Sequence, residues 1–310
     1  MALTPKRGLI AVEWAMMAYV LFTTIFIMVT FSRLAHPWQM LAFRTGAVAL
    51  TLALWMLYRR RPGRFTMLLR VAGQMVLLSW WYPDTYEFNR IFANLDHVFA
   101  GYEQQLFHFQ PALVFSQKVT NAVFSELMHL GYASYYPMIG VVAFYFFFYR
   151  YQEFERMAFI ILASFMLYYV IFIFLPVTGP QYYYMAVGVD QIAQGHFPAV
   201  GDYFITHSES LPIPGWKDGF FYQCVASAHA TGERPTAAFP SSHVGVTIIM
   251  LLLAWHARSR KLIYIILPLF VLMSLATVYI RAHYVIDVIG GWISALLIYA
   301  VLFFLSKKFV

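Results

Sequence analysis

Val285-Ile286-Asp287-Val288-Ile289-Gly290-Gly291-Trp292-Ile293-Ser294-Ala295-Leu296-Leu297-Ile298-Tyr299-Ala300-Val301-Leu302-Phe303-Phe304-Leu305 carries one charged residue, Asp287, and is long enough to cross a bilayer, which takes about 20 apolar residues. Seven further apolar stretches precede it, at residues 8–31, 38–58, 66–82, 122–149, 157–175, 244–257 and 262–280. Hydrophobic residues make up 61% of the chain and charged ones 11%, where a soluble domain carries about 25% charged residues. These numbers exclude one or two soluble domains and imply an all-α, polytopic transmembrane bundle of about eight spans. The run at 244–257 is short and spans only if its N-terminal end is buried at membrane depth. Residues 1–310 are read as one integral membrane domain: three spans in 1–82, an outer interfacial segment at 83–121 and a catalytic core of five spans in 122–310.

Basic residues mark the orientation. Lys6, Arg7, Arg59, Arg60, Arg61, Arg64, Arg70, Arg150, Arg156, Arg258, Arg260, Lys261, Lys307 and Lys308 fall at alternate ends of the runs. The positive-inside rule then places both termini in the cytoplasm. The opposite face holds most of the acids, among them Asp84, Glu87, Asp96, Glu103 and Glu233, so the net charge of +7 comes from cytoplasmic anchors. It does not argue for a nucleic-acid partner. The first run is long, contains Glu13 and lacks a small-residue cleavage site, which reads as a signal anchor. Cys224, the only cysteine, is expected in an outer loop without a disulfide partner.

Two outer segments, 83–121 and 176–239, are too long to be simple connections, and ordered loops of that length are usually functional. In the first, Phe88, Ile91, Phe92, Leu95, Phe99, Tyr102 and Leu106 recur at helical steps, with Asn89, Asp96 and Glu103 on other faces. That pattern predicts a helix in the membrane interface, roofing a lipid site or capping the bundle. The second is rich in Pro and Gly, as an irregular ordered cover would be, and its Tyr182, Tyr183 and Tyr184 suit the headgroup level.

Chemistry concentrates in two strings beside the apolar runs, Phe239-Pro240-Ser241-Ser242-His243 and His283-Tyr284-Val285-Ile286-Asp287. His283 and Asp287 are four residues apart and share one helical face, so the carboxylate can orient the ring. Pro-Ser-Ser-His reads as a helix start, where free backbone N–H groups and the positive dipole end favour an anion. Ser241 alone is equally well a helix cap. No histidine spacing suggests a metal.

Pro240-Ser241-Ser242-His243 resembles the Pro-Ser-Gly-His motif of the type 2 phosphatidic acid phosphatase superfamily. His283 with Asp287 resembles its His-x-x-x-Asp motif, and a hairpin of two spans separates the strings. The resemblance implies that His283 attacks phosphorus, Asp287 supports it and His243 protonates the leaving oxygen, while Ser241 and Ser242 hold phosphoryl oxygens. It implies a phosphohistidine intermediate and no cofactor. The Lys-x6-Arg-Pro string of the phosphatases is absent, with Arg234-Pro235 its nearest remnant. The arginine expected six positions before His283 is Thr277, and Arg281 stands close enough to replace one lost charge or merely to anchor a helix end.

A pocket poor in cations leans toward phosphodiesters, which carry one negative charge where a monoester carries close to two. The branch resembled is that of the inositol phosphorylceramide synthases, with Thr178-Gly179-Pro180-Gln181-Tyr182 similar to their Pro-Pro-Trp-Tyr type of segment. That placement implies substrate contacts for Gln181 and Tyr182. The expected partners are a membrane lipid bearing a phosphate ester and a lipid alcohol acceptor. The expected setting is a plasma-membrane or inner-membrane type bilayer with the site on the extracytoplasmic side. A lipid phosphate phosphatase would use the same residues, and a lipid transporter or flippase would share the helices. Glu126 and His129, one turn apart in the fourth run, bind an acceptor hydroxyl or make a structural hydrogen bond. Arg44 snorkels outward or meets a carboxylate.

Overall fold

The computed structural model describes residues 8–309, and among these every regular element is a helix. Long helices are α1 (Ala11–Thr30), α2 (Pro37–Arg60) and α3 (Arg64–Asn89), followed by the shorter α4 (Asp96–Phe107) and α5 (Pro111–Lys118). Then come α6 (Ala122–Ala133), α7 (Tyr135–Tyr149) and α8 (Tyr151–Phe174). A cap holds α9 (Pro180–Val187), α10 (Val189–Ala193) and α11 (Phe220–Gly232), and then come α12 (Ser242–His256), α13 (Arg260–Tyr279) and α14 (Val285–Phe309). Lys6 and Arg7, two of the expected inner anchors, lie outside the described residues.

Among the described residues, five helices are long and apolar enough to cross a membrane: α1, α2, α8, α13 and α14. A sixth span is α6 with α7, bent by 50°. The bend falls where Pro137 occupies the first turn of α7 and removes an N–H from the ladder. The other two expected spans do not meet that standard. Helix α12 has 15 residues, about 22 Å of rise against a hydrocarbon core of about 30 Å. Helix α3 is long enough but carries Arg70, Gln74, Asp84 and Glu87.

The polar side chains of α3 are satisfied by its neighbours, which explains how it sits against α1, α2 and α8. Arg70 pairs with Glu13 of α1, both fully buried, and also donates to the Gly8 carbonyl. Asp84 accepts from Arg44 of α2 at 2.6 Å, and Gln74 donates to Thr51. Arg44 therefore points inward to a carboxylate instead of snorkelling, and Arg70 is an interior ion-pair member, not a surface anchor. Helix α3 also runs through Pro83 to Asn89, so Asp84 and Glu87 sit on it and not in a loop.

Helix α8 is the axis of the bundle, 78% buried over its apolar window and packed on α1, α3, α7, α12 and α14. Helices α12 and α14 cross closely at Gly245 and Gly291, where a Cβ on Gly291 would stand 2.7 Å from the Ser241 carbonyl oxygen. The interfacial periodicity resolves into two elements, because Phe88 sits in the last turn of α3, which ends at Asn89, and α4 begins only at Asp96. On α4 the apolar Val98, Tyr102 and Leu106 are exposed, while Asp96, Ala100 and Glu103 are buried. Tyr182, Tyr183 and Tyr184 are buried in the cap and do not form an exposed aromatic belt: Tyr183 donates to the Pro198 carbonyl and Tyr184 to Gln110. Cys224 is exposed and free, but on α11 and not in a loop.

Candidate active site

Three backbone segments converge at one end of the bundle: 177–181 after α8, 236–241 before α12 and 281–287 before α14. Ala238 N donates to Val177 O, Gln181 N to Arg281 O and Ser241 N to Asp287 O. Gly179 stands at their meeting point with φ +89, and a Cβ there would lie 2.5 Å from the Ala282 oxygen. Only glycine satisfies both the left-handed backbone and the contact.

That convergence brings two imidazoles together. The rings of His243, in the first turn of α12, and His283, in the loop before α14, have centroids 5.8 Å apart. His283 Nδ1 donates to the Ala238 carbonyl at 2.8 Å and lies 3.5 Å from Asp287 Oδ2. Asp287 Oδ2 also accepts the Tyr284 N–H at 2.8 Å, closing the first turn of α14, while its Oδ1 is buried without a partner. Burial pushes the His283 ring down to about 4; the Ala238 carbonyl and the charge of Glu233 oppose this without reversing it. The ring is therefore neutral at pH 7. His243 is sandwiched by aromatic rings, Tyr132 at 4.8 Å and Tyr135 at 4.5 Å.

The other expected residues divide. Ser241 and Ser242 are buried at the α12 start, and Ser241 Oγ accepts the Val244 N–H, so its hydroxyl caps the helix. Gln181 is buried and donates to Glu233 at 2.8 Å. The Arg281 side chain turns to α5, donating to Ser116 Oγ at 3.3 Å, and its backbone is left-handed at φ 68. The Tyr182 ring packs edge-on against Phe204 of the cap. Arg234 is exposed.

Glu126 accepts the N–H groups of Phe221 and Tyr222, capping the start of α11. His129 Nδ1 donates to the Ser125 carbonyl one turn back. Glu126 thus makes the interhelical structural bond of one of its expected readings, whereas the His129 bond stays within α6.

Three carboxylates that sequence reasoning left aside organise the site. Glu233 accepts from Tyr132 OH at 3.0 Å and from Gln181, with His229 Nε2 3.0 Å from its Oε1. Burial alone would raise its pKa, but these partners hold it down to about 2, so it is ionised. Asp96 accepts from Thr178 N and Oγ1, Gly179 N, Asn94 and Tyr284 OH, fastening the 177–181 segment to the loop of His283. Glu103 accepts the Val285 and Ile286 N–H groups at 3.2 Å each, at the start of α14. The signals existed: His229 and Glu233 repeat the four-residue spacing of His283 and Asp287, and Asp96 and Glu103 are seven apart on one helical face.

No curated protein and no solved structure matches the chain significantly. The family model described as PAP2 superfamily matches residues 99–301, from within α4 to within α14, and takes in both histidine strings. With two imidazoles meeting at the helix starts of a bundle built for the bilayer and about two thirds of its length inside that match, the chain belongs to the PAP2 superfamily and is a membrane enzyme of phosphatase or phosphotransferase type.

Proposed function

We propose that the protein moves a phosphoryl head group between membrane lipids through a phosphohistidine on His283. The observation that carries this reading is the pair of imidazoles 5.8 Å apart, one of them with its Nδ1 committed to a carbonyl. A carbonyl only accepts, so the proton resides on Nδ1 and the lone pair on Nε2 is the nucleophile. In the first step Nε2 attacks phosphorus, the bond to the donor oxygen breaks, and His243, protonated, gives its proton to that oxygen. In the second the acceptor hydroxyl attacks, His243 takes its proton back and the P–N bond breaks. Water in place of the alcohol gives hydrolysis by the same residues.

The α12 start supplies donors for phosphoryl oxygens through its first-turn N–H groups and Ser242. Asp287 fixes the loop of His283 by accepting the Tyr284 N–H, and its Oδ2, 3.5 Å from His283 Nδ1, stabilises charge on the ring. An ionised Glu233 and the scarcity of free cations favour a singly charged diester over a monoester. His283 is 4% exposed, so substrate needs the cap of α9 to α11 to move. In this reading α3 and α12 also span, giving eight helices with both termini cytoplasmic and the site extracytoplasmic. Helix α4 lies at the interface with its apolar face to lipid.

Purified protein incubated with a labelled phospholipid diester should form acid-labile phosphate on His283, and a lipid alcohol should discharge it to a new diester. The His283→Asn variant should form none. Brisk release of inorganic phosphate from a phosphomonoester lipid, with no transfer from any diester, would leave a phosphatase and remove the transferase.

A further inference from the structure

A groove of about 500 Å³ opens at the same end of the bundle as the histidine pair, between the start of α2, the end of α3 and the segment after α11. Its lining includes Trp80, Asp84, Tyr86 and Glu87 of α3 and Arg234 of the segment after α11. Residues 36–87 precede the family match at 99–301, so most of the wall is foreign to the family's core.

The charges in this groove nearly cancel. Asp84 is neutralised by Arg44 at 2.6 Å and Glu87 by Arg90 at 3.3 Å. Arg234 is exposed, and the neighbouring Glu233 is already committed to Tyr132, Gln181 and His229. One guanidinium is left uncompensated, which matches one negative charge. The apolar wall is equally definite: Trp80 is 52% exposed yet fixed by stacking on Phe43 at 4.0 Å, and Tyr86 is anchored by donating to the Phe204 carbonyl at 2.7 Å. An indole and a lone guanidinium lining one groove are the pair of groups that meets a lipid at the level where its phosphate joins its glycerol.

The geometry points to a head-group site for one singly charged phosphodiester lipid, its phosphate on Arg234 and its glycerol region against Trp80. Arg234 adjoins Glu233, which holds the tyrosine stacked on His243. A lipid seated here is one residue removed from the polar network of the candidate active site. Binding does not depend on the proposed chemistry; only delivery of that lipid to His283 rests on it.

Native mass spectrometry of the full chain in detergent, titrated with short-chain phosphatidylglycerol, diacylglycerol or inorganic phosphate, tests the site. Phosphatidylglycerol should bind, and Arg234→Gln should weaken it by about tenfold, as for loss of one charge-assisted hydrogen bond. Arg234→Lys should recover part of the loss and His283→Asn should bind as the wild type does. Diacylglycerol binding should ignore Arg234, and millimolar inorganic phosphate should fail to displace the lipid. Unchanged binding in Arg234→Gln overturns the site, and loss of binding in His283→Asn relocates the lipid to the histidines. Displacement by inorganic phosphate makes it a free-anion site. Expected binding without turnover of any phosphate ester would retain this groove and reject the proposed catalysis.

Discussion

His283 donates its Nδ1 proton to the carbonyl oxygen of Ala238, 2.8 Å away, while the carboxylate of Asp287 lies farther off at 3.5 Å. Ala238 belongs to the strand of backbone that leads directly into α12. The same short stretch thus sets the tautomer of one imidazole and starts the helix that carries the other, which couples the spacing of the two rings to the backbone between them.

The pH dependence follows from that environment. The neutral ring is the nucleophile, so on the acid side activity should fall as pH drops through the His283 pKa of about 4, well below the ordinary 6.5 or so, while the need for a protonated His243 in the first step makes it fall separately as pH rises. The acid limb of kcat/KM should therefore lie near 4. Glu233 opposes the downward shift, so Glu233→Gln should move the limb lower still. A limb at the ordinary histidine value would remove His283 as the buried nucleophile.

Glu103 predicts a dependence of stability on pH. Burial raises it to about 8, against the two backbone N–H groups it accepts, and Asp287 adds to the rise. The folded state then holds a proton between about 4.5 and 8 that the unfolded state has released, so this contribution is present at low pH and lost as pH rises through 8. Thermal-unfolding midpoints of the wild type should fall over that window. Glu103→Gln should flatten the decline, and an equal slope in the variant would exclude Glu103 as its source.

Asp96 closes the site mechanically. Its two oxygens accept from Thr178, Gly179, Asn94 and Tyr284, and all of these donors are buried around it. Asp96→Ala strands several of them, at about 1–3 kcal/mol for each left unmet. A loss of at least about 2 kcal/mol in chemical unfolding is expected, as for two donors at the lower end of that range. Asp96→Asn should lose less, because one acceptor oxygen remains. A neutral Asp96→Ala would show that the 177–181 segment is held by other contacts.

How much of this was readable depends on which physical signal each feature leaves in one dimension. Apolar runs at 157–175 and 285–305 declare membrane helices directly, because hydropathy is local. The histidine strings are equally local, each placed where an apolar run begins. Partners across helices leave no such trace. Glu13 and Arg44 stand in the sequence only as charges within apolar runs, Arg70 as an inner anchor and Asp84 as an outer acid, since pairing depends on rotations between helices. Helix α4 kept the expected period over part of its length but not the expected interior. Its Val98, Tyr102 and Leu106 are exposed while Ala100 is buried, and its acids turn inward where buried N–H groups need acceptors. The tyrosines at 182–184 were misplaced because a loop's destination is set by what it packs against, and here that is the cap over the histidines.

Two glycine substitutions should have opposite signs. At Gly291 a new Cβ would stand 2.7 Å from the Ser241 carbonyl oxygen and 3.4 Å from Val244 Cβ. The first is backbone at the start of α12, which cannot rotate away, so α12 and α14 must separate. Overpacking of this kind costs about 1–3 kcal/mol. The shift also acts on the Ser241 N–H to Asp287 carbonyl bond, and through it on the approach of the two imidazoles. At Gly140 in α7 a Cβ meets nothing within 4 Å, and replacing a helical glycine by alanine in open space gains about 0.5–1 kcal/mol. Gly291→Ala should lower both the unfolding midpoint and turnover, and Gly140→Ala should raise the midpoint and spare turnover. If Gly291→Ala proved as stable and as active as Gly140→Ala, the close crossing of α12 and α14 could not be what sets the distance between His243 and His283.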